Sequence, residues 1–172
     1  HTARSRNDQV ATDLRLWTKR EVRRVRDSVL ALVDVLESRA QEADAQSPQL
    51  RLPGYTHVQH AQPVLLSHHL RAHSWALLRD ADRLADALER LDVSPLGAGA
   101  LAGSSLPINP EFSAKMMGFG STFANSLDAV SDRDYVAEVL FAISLLGVHL
   151  SRSIRGRPCS PPAAHSPSNI YF

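Results

Sequence analysis

Three short polar stretches interrupt an otherwise apolar, leucine-rich sequence, and they group side chains that can do chemistry together. In PGYTHVQHAQP (residues 53–63), His57 is a candidate acid/base, because an imidazole titrates nearest neutrality. Thr56 and Gln59 beside it can orient a substrate through directional hydrogen bonds. The competing reading is a capped polar turn between two core helices. A second stretch, HTARSRNDQ (1–9), sets Arg4 and Arg6 beside Ser5 and Asn7. A guanidinium holds a carboxylate bidentately, and the free amides of a helix start favour an anion. Taken alone, this stretch reads better as a helix cap with solvated arginines. The third, PLGAGALAGSSLPINP (95–110), is a Gly- and Ser-rich loop that leads towards NSLDAVSDRD (125–134).

Other residue groups point away from rival chemistries. His69 and His73 are four apart and share a helical face, yet no Glu follows His69 in the HExxH manner and no Cys or Asp stands at ligand spacing. No metal site is expected there. Lys19, Arg20, Arg23, Arg24 and Arg26 are interleaved with Glu21 and Asp27 and lack aromatics, so they read as a solvated helix face, not a nucleic-acid surface. The net charge of +1 likewise gives no reason to expect nucleic acid or an anionic membrane. No apolar run is read as approaching the roughly 20 residues of a spanning helix, and no signal peptide is visible. The single cysteine, Cys159, leaves no internal disulfide and fits a reducing cytosol.

The elements that must position the polar stretches are long helices. Val22, Val25, Val29, Leu32 and Leu36 alternate three and four apart within a helix expected from Asp8 to about Ala45, capped by Asn7 or Asp8. Leu70, Ser74, Leu77, Ala81, Leu84, Leu88 and Leu91 form a heptad-like seam in a second helix, expected from about Val64 to Leu91. A short helix is expected at Asn109-Pro110, with Asn as cap and Pro in the first turn. A third long helix is expected from Ser126 or Ser131, with Val136, Val139, Ile143, Leu146 and Leu150 inward. No strand pattern is evident. The fold class is therefore all-α, a bundle of long helices whose uncovered faces call for oligomerisation.

In order and spacing, HTARSRNDQVATDLRLW, PGYTHVQHAQP, PLGAGALAG and SLDAVSDRDYVAE (126–138) resemble argininosuccinate lyase. The THxQxAxP core is shared across the fumarase/aspartase superfamily; SRNDQ upstream narrows the resemblance. It covers His1 to about Ile154. The resemblance implies a cytoplasmic homotetramer of long helices that makes each active site from three subunits. It also implies reversible β-elimination of argininosuccinate to arginine and fumarate, with no metal or organic cofactor. By the same resemblance His57 is the catalytic acid/base histidine, while Arg6, Asn7 and Thr56 bind substrate. Alternatives are another superfamily lyase, such as adenylosuccinate lyase, or an inert crystallin-like helical oligomer.

Two features depart from the family pattern. Gly103-Ser104-Ser105-Leu106-Pro107 imitates the family's catalytic serine loop, but it follows Leu101-Ala102 in the PLGxGxLAG context and lacks the Met and Lys of that motif. Ser104 and Ser105 are therefore not expected to be catalytic. Residues 155–172 are Pro-rich and outside the family pattern, and are expected to be a disordered tail. Codons can be chosen for Arg155–Ser160 whose shifted frame encodes Glu-Glu-Asp-Leu-Val, a helical continuation, so a frameshift is one candidate origin. Residues 1–154 are expected to be a partial central bundle domain, and the 172-residue chain a central fragment of little or no activity by itself.

Overall fold

The computed structural model describes residues 2–57 and 59–155. The expected tail lies outside them. In chain order the elements are α1 (Arg6–Gln46), β1 (Arg51–Thr56), β2 (Gln59–Leu65), α2 (Leu66–Leu91), β3 (Val93–Ser94), α3 (Pro110–Met116), β4 (Ser121–Thr122), α4 (Ser126–Ser131) and α5 (Asp134–Arg155). The all-α expectation stands, and α1, at 41 residues, is about 60 Å long.

The chain divides into two compact units, and α1, α2 and α5 each contribute to both. The first comprises residues 1–26 and 83–141. Its core gathers Ala11 and Val22 of α1, Leu84, Ala87 and Leu91 of α2, and Tyr135 and Val139 of α5. Ala98, Ala114, Phe119 and Ala129 complete it. The second unit comprises residues 27–82 and 142–172. Val29, Ala40, Leu77, Ala81, Ala142 and Leu146 are its buried apolar residues.

Several boundaries differ from the sequence expectation, each for a local reason. Helix α1 starts earlier because Ser5, not Asn7 or Asp8, is its cap. Ser5 Oγ accepts from Asn7 N at 3.3 Å, and Asp8 Oδ1 accepts in return from Ser5 N at 3.0 Å. This is the reciprocal pattern of a capping box. The third helix is two helices. Asp132 leaves the helical conformation (φ −56°, ψ 127°) and its Oδ1 accepts from Asp134 N at 2.8 Å, which restarts the helix as α5. Within α5 the buried positions are Tyr135, Val139, Ala142 and Leu146, so Ala142 takes the inward place expected for Ile143. Asn109 caps α3 as expected, its side chain accepting from Phe112 N at 2.8 Å with Pro110 in the first turn.

Three expectations are corrected outright. PGYTHVQHAQP is largely β-hairpin, where no strand was expected. Lys19 is 3% exposed, not solvated, while Arg20 and Arg24 do lie at the surface with Glu21. Helix α5 is long and apolar enough to cross a membrane by length and composition, where no run was expected to approach that limit. Its apolar residues are concentrated in Val139–Val148, where Ser144 and Gly147 are the only interruptions.

Candidate functional site

Each polar stretch has its own local scaffold. In the first unit, Arg6 and Asn7 occupy the first turn of α1, both exposed. The Asn7 amide is not loose: Nδ2 donates to Ala100 O in the glycine-rich loop at 3.0 Å. Arg6 makes no such contact among the described residues. Asp8, next in sequence, is fully buried and accepts from Gly97 N at 3.1 Å and Gly99 N at 3.0 Å through Oδ2. Beside this loop is a small cavity of about 150 Å³ walled by Ala3, Arg4, Gly97, Ile108 and Asn109. Ala3 holds φ +59°, a left-handed conformation that disfavours a Cβ.

Deeper along the same face of α1, polar side chains continue the core stripe. Thr12 Oγ1 donates to Asp8 O at 2.7 Å. The Arg15 guanidinium donates to Arg90 O at 3.2 Å, pairs with Asp132 and lies 4.5 Å from the Tyr135 ring centroid. Lys19 pairs with Asp92, donates to Gly118 O at 2.9 Å and lies over Phe119. Burial pushes the Tyr135 phenol above its usual range, against the opposing charges of Arg133 and Arg15. Stepping back from Val22 by three and four reaches Lys19 and Thr18, then Arg15, Thr12 and Asp8. Their inward position was therefore readable, had the stripe been extended into polar residues.

In the second unit, β1 and β2 pair antiparallel from Arg51↔Leu65 to Thr56↔Gln59, with an irregularity between Pro53 and Tyr55. Gly54 sits at that irregularity, where a Cβ would meet Gln62 O at 2.4 Å. The paired prolines, Pro53↔Pro63, are tolerated because each strand has a free outer edge. Thr56 and His57 stand at the exposed tip. His57 has φ +51°, in the left-handed region. One pair back, Tyr55 Oη and His60 Nε2 are 3.1 Å apart with ring centroids at 4.8 Å, a brace below the tip that the sequence did not single out. The structure thus groups Arg6 with Asn7 in one unit, and Thr56 with His57 in the other.

The serine decoy and the histidine pair are accounted for locally. Ser104 Oγ accepts from Leu106 N at 3.2 Å in an exposed turn. His69 and His73 meet edge to face at 5.0 Å, and His73 Nδ1 is 3.2 Å from Ser153 Oγ. Among the described residues no group of three or more His, Cys, Asp or Glu side chains is placed to hold a metal ion.

Residues 1–155 match a family described as lyase, and the chain belongs to that family. It is 55% identical over 152 residues to the argininosuccinate lyase of Symbiobacterium thermophilum, covering 88% of this chain and 32% of that protein. The argininosuccinate lyase of Moorella thermoacetica is 57% identical over the same length and coverage. The chain thus spans about a third of the length of these curated relatives. Among solved structures, EDDS lyase in complex with formate superposes with a TM-score of 0.83 at 31% identity, covering 89% of this chain and 30% of that one. An EDDS lyase variant with bound fumarate superposes with a TM-score of 0.78 at 29% identity, over 90% and 30% of the two chains.

Proposed function

We propose that this chain carries part of the active site of an argininosuccinate lyase. The assembled enzyme cleaves argininosuccinate reversibly to arginine and fumarate, in arginine biosynthesis in the cytoplasm. The observation that carries this reading is His57, an exposed imidazole held at a hairpin tip with φ +51°. Non-glycine residues in that conformation cluster at functional sites, where surrounding structure enforces them. Identity of 55% over 152 residues to an argininosuccinate lyase supports argininosuccinate as the substrate, and fumarate bound in an EDDS lyase variant fits the product.

The chemistry follows from what elimination demands. A proton leaves the carbon next to a carboxylate, charge accumulates on that carboxylate, and the carbon–nitrogen bond breaks as the guanidino nitrogen takes up a proton. Stabilising the developing charge is the largest requirement. Arg6 supplies a guanidinium for a carboxylate, and Asn7 and Thr56 supply neutral hydrogen bonds. His57 takes part in proton transfer, which is worth about 10²–10⁴-fold. The exposed apolar side chains of α5, including Leu140 at 60% and Phe141 at 61%, fit burial against further copies of the chain, as in a homotetramer.

The test is fumarate release from argininosuccinate by the full-length protein and its His57→Ala variant, with adenylosuccinate as the competing substrate. The variant is expected to lose at least about 100-fold in kcat. Turnover of adenylosuccinate in preference, or turnover unchanged by the substitution, would overturn the reading.

A further inference from the structure

Asp8 is the residue on which the first polar stretch hinges, although the motif reading assigns it nothing beyond a cap. We propose that Asp8 is a positioning residue: its buried carboxylate clamps the Gly97–Gly99 backbone, and through Ala100 that clamp fixes the side-chain amide of Asn7. Its significance for substrate rests on the lyase reading; the clamp itself does not.

The carboxylate is 0% exposed, so it must be compensated where it sits. Three backbone N–H groups from two segments do this: Ser5 N on Oδ1 at 3.0 Å, and Gly97 N and Gly99 N on Oδ2 at 3.1 and 3.0 Å. Backbone amides donating to a carboxylate are among the stronger protein hydrogen bonds. The loop is shaped to deliver them. Gly97 (φ +108°) and Gly99 (φ +63°) adopt conformations unfavourable to other residues, and a Cβ on Gly99 would lie 2.6 Å from Gly103 O. Gly103 N donates back to Ala98 O at 2.7 Å, which closes the turn.

The next residue, Ala100, turns its carbonyl to Asn7 Nδ2 at 3.0 Å. Asn7 and Asp8 are adjacent on one helical turn and grip the same loop from two directions. A carbonyl can only accept, so the Asn7 amide has one orientation: Nδ2 is committed to Ala100. Its Oδ1 and one N–H are left for a ligand. Without the clamp on Gly97 and Gly99, Ala100 loses its fixed place and the exposed Asn7 amide regains its rotamers, an entropy that substrate binding must then remove.

The experiment compares four forms of the 172-residue chain by nuclear magnetic resonance: unsubstituted, Asp8→Asn, Gly99→Ala and Thr12→Val. Thr12→Val removes the buried bond to Asp8 O in the same turn and leaves the carboxylate intact. Asp8→Asn and Gly99→Ala are expected to drop the order parameter of the Asn7 side-chain amide from about 0.8 to below about 0.6. Protection of the Gly97 amide against exchange should fall at least tenfold in Asp8→Asn, while Thr12→Val is expected to change neither the Asn7 order parameter nor the Gly97 protection. An Asn7 amide that stays ordered in both loop variants overturns the proposal, and so does equal loosening by Thr12→Val. If the amide loosens as expected but Asn7→Ala leaves full-length turnover of argininosuccinate unchanged, the clamp stands and the lyase role of Asn7 fails.

Discussion

The Lys19 ammonium, buried on the inward face of α1, forms an ion pair with Asp92 just beyond the end of α2. Gly118 O at 2.9 Å and the Phe119 ring, 4.4 Å away, complete its surroundings. Removing one partner of a buried pair leaves an uncompensated charge, which costs about 3–5 kcal/mol when both are buried. Asp92 is 37% exposed, so Asp92→Asn is expected to cost about 2 kcal/mol in chemical denaturation. A change below about 0.5 kcal/mol would mean that Gly118 and Phe119 suffice.

Asp92 also carries a pH signature. Burial raises its pKa, but donation from Lys19, the Gly120 backbone amide and the charges of Lys19 and Arg23 outweigh this and lower it below 3.8. A depressed folded pKa contributes stability above the unfolded value, lost as pH falls through the folded one. Thermal unfolding at acid pH is therefore expected to be less steeply pH-dependent in Asp92→Asn.

Left-handed backbone predicts opposite signs at two nearby positions. Ala3 at φ +59° bears a strain of about 1–2 kcal/mol, so Ala3→Gly is expected to stabilise by up to about 1 kcal/mol after the entropy of glycine is offset. Gly99→Ala adds both that strain and a Cβ 2.6 Å from Gly103 O, and should destabilise by more than about 2 kcal/mol. Denaturant midpoints with unchanged slopes would report both.

His73 gives the second unit its own pH dependence. Burial first, then the charges of His69 and Arg152, hold its pKa below 6.5. The unfolded chain binds this proton more readily, so the contribution is complete above about 6.5 and declines as pH falls through the lowered folded value. The melting temperature should drop as pH falls below about 6.5, and less so in His73→Gln. Identical slopes in the two proteins would place the dependence elsewhere.

The exposed face of α5 is tested by Phe141→Glu, at a position 61% exposed in the chain. A charge placed in an interface between copies should lower the average mass in sedimentation, because its desolvation costs several kcal/mol. If Phe141 stays in water, the mass distribution will not change.

Much of this protein is determined by residue periodicity. The seam from Leu70 to Leu91 is buried at Ser74, Leu77, Ala81, Leu84 and Leu91, because a helix repeats every 3.6 residues whatever it packs against. Asn109 and Pro110 likewise fix the start of α3 by local bonding. The hairpin was not legible: two prolines and a polar run break strand alternation, and only pairing across the turn supplies its hydrogen bonds. Residue types alone do not show which polar side chains are buried, although the helical phase of the Val22 stripe points Lys19 and Asp8 inward. Lys19 reads like its solvated neighbours until a carboxylate 73 residues away meets it. Asp8 reads as a cap until two glycine amides, 89 and 91 residues on, turn towards it. A polar side chain is buried only where partners from distant segments replace water, and the tertiary structure alone brings those partners together.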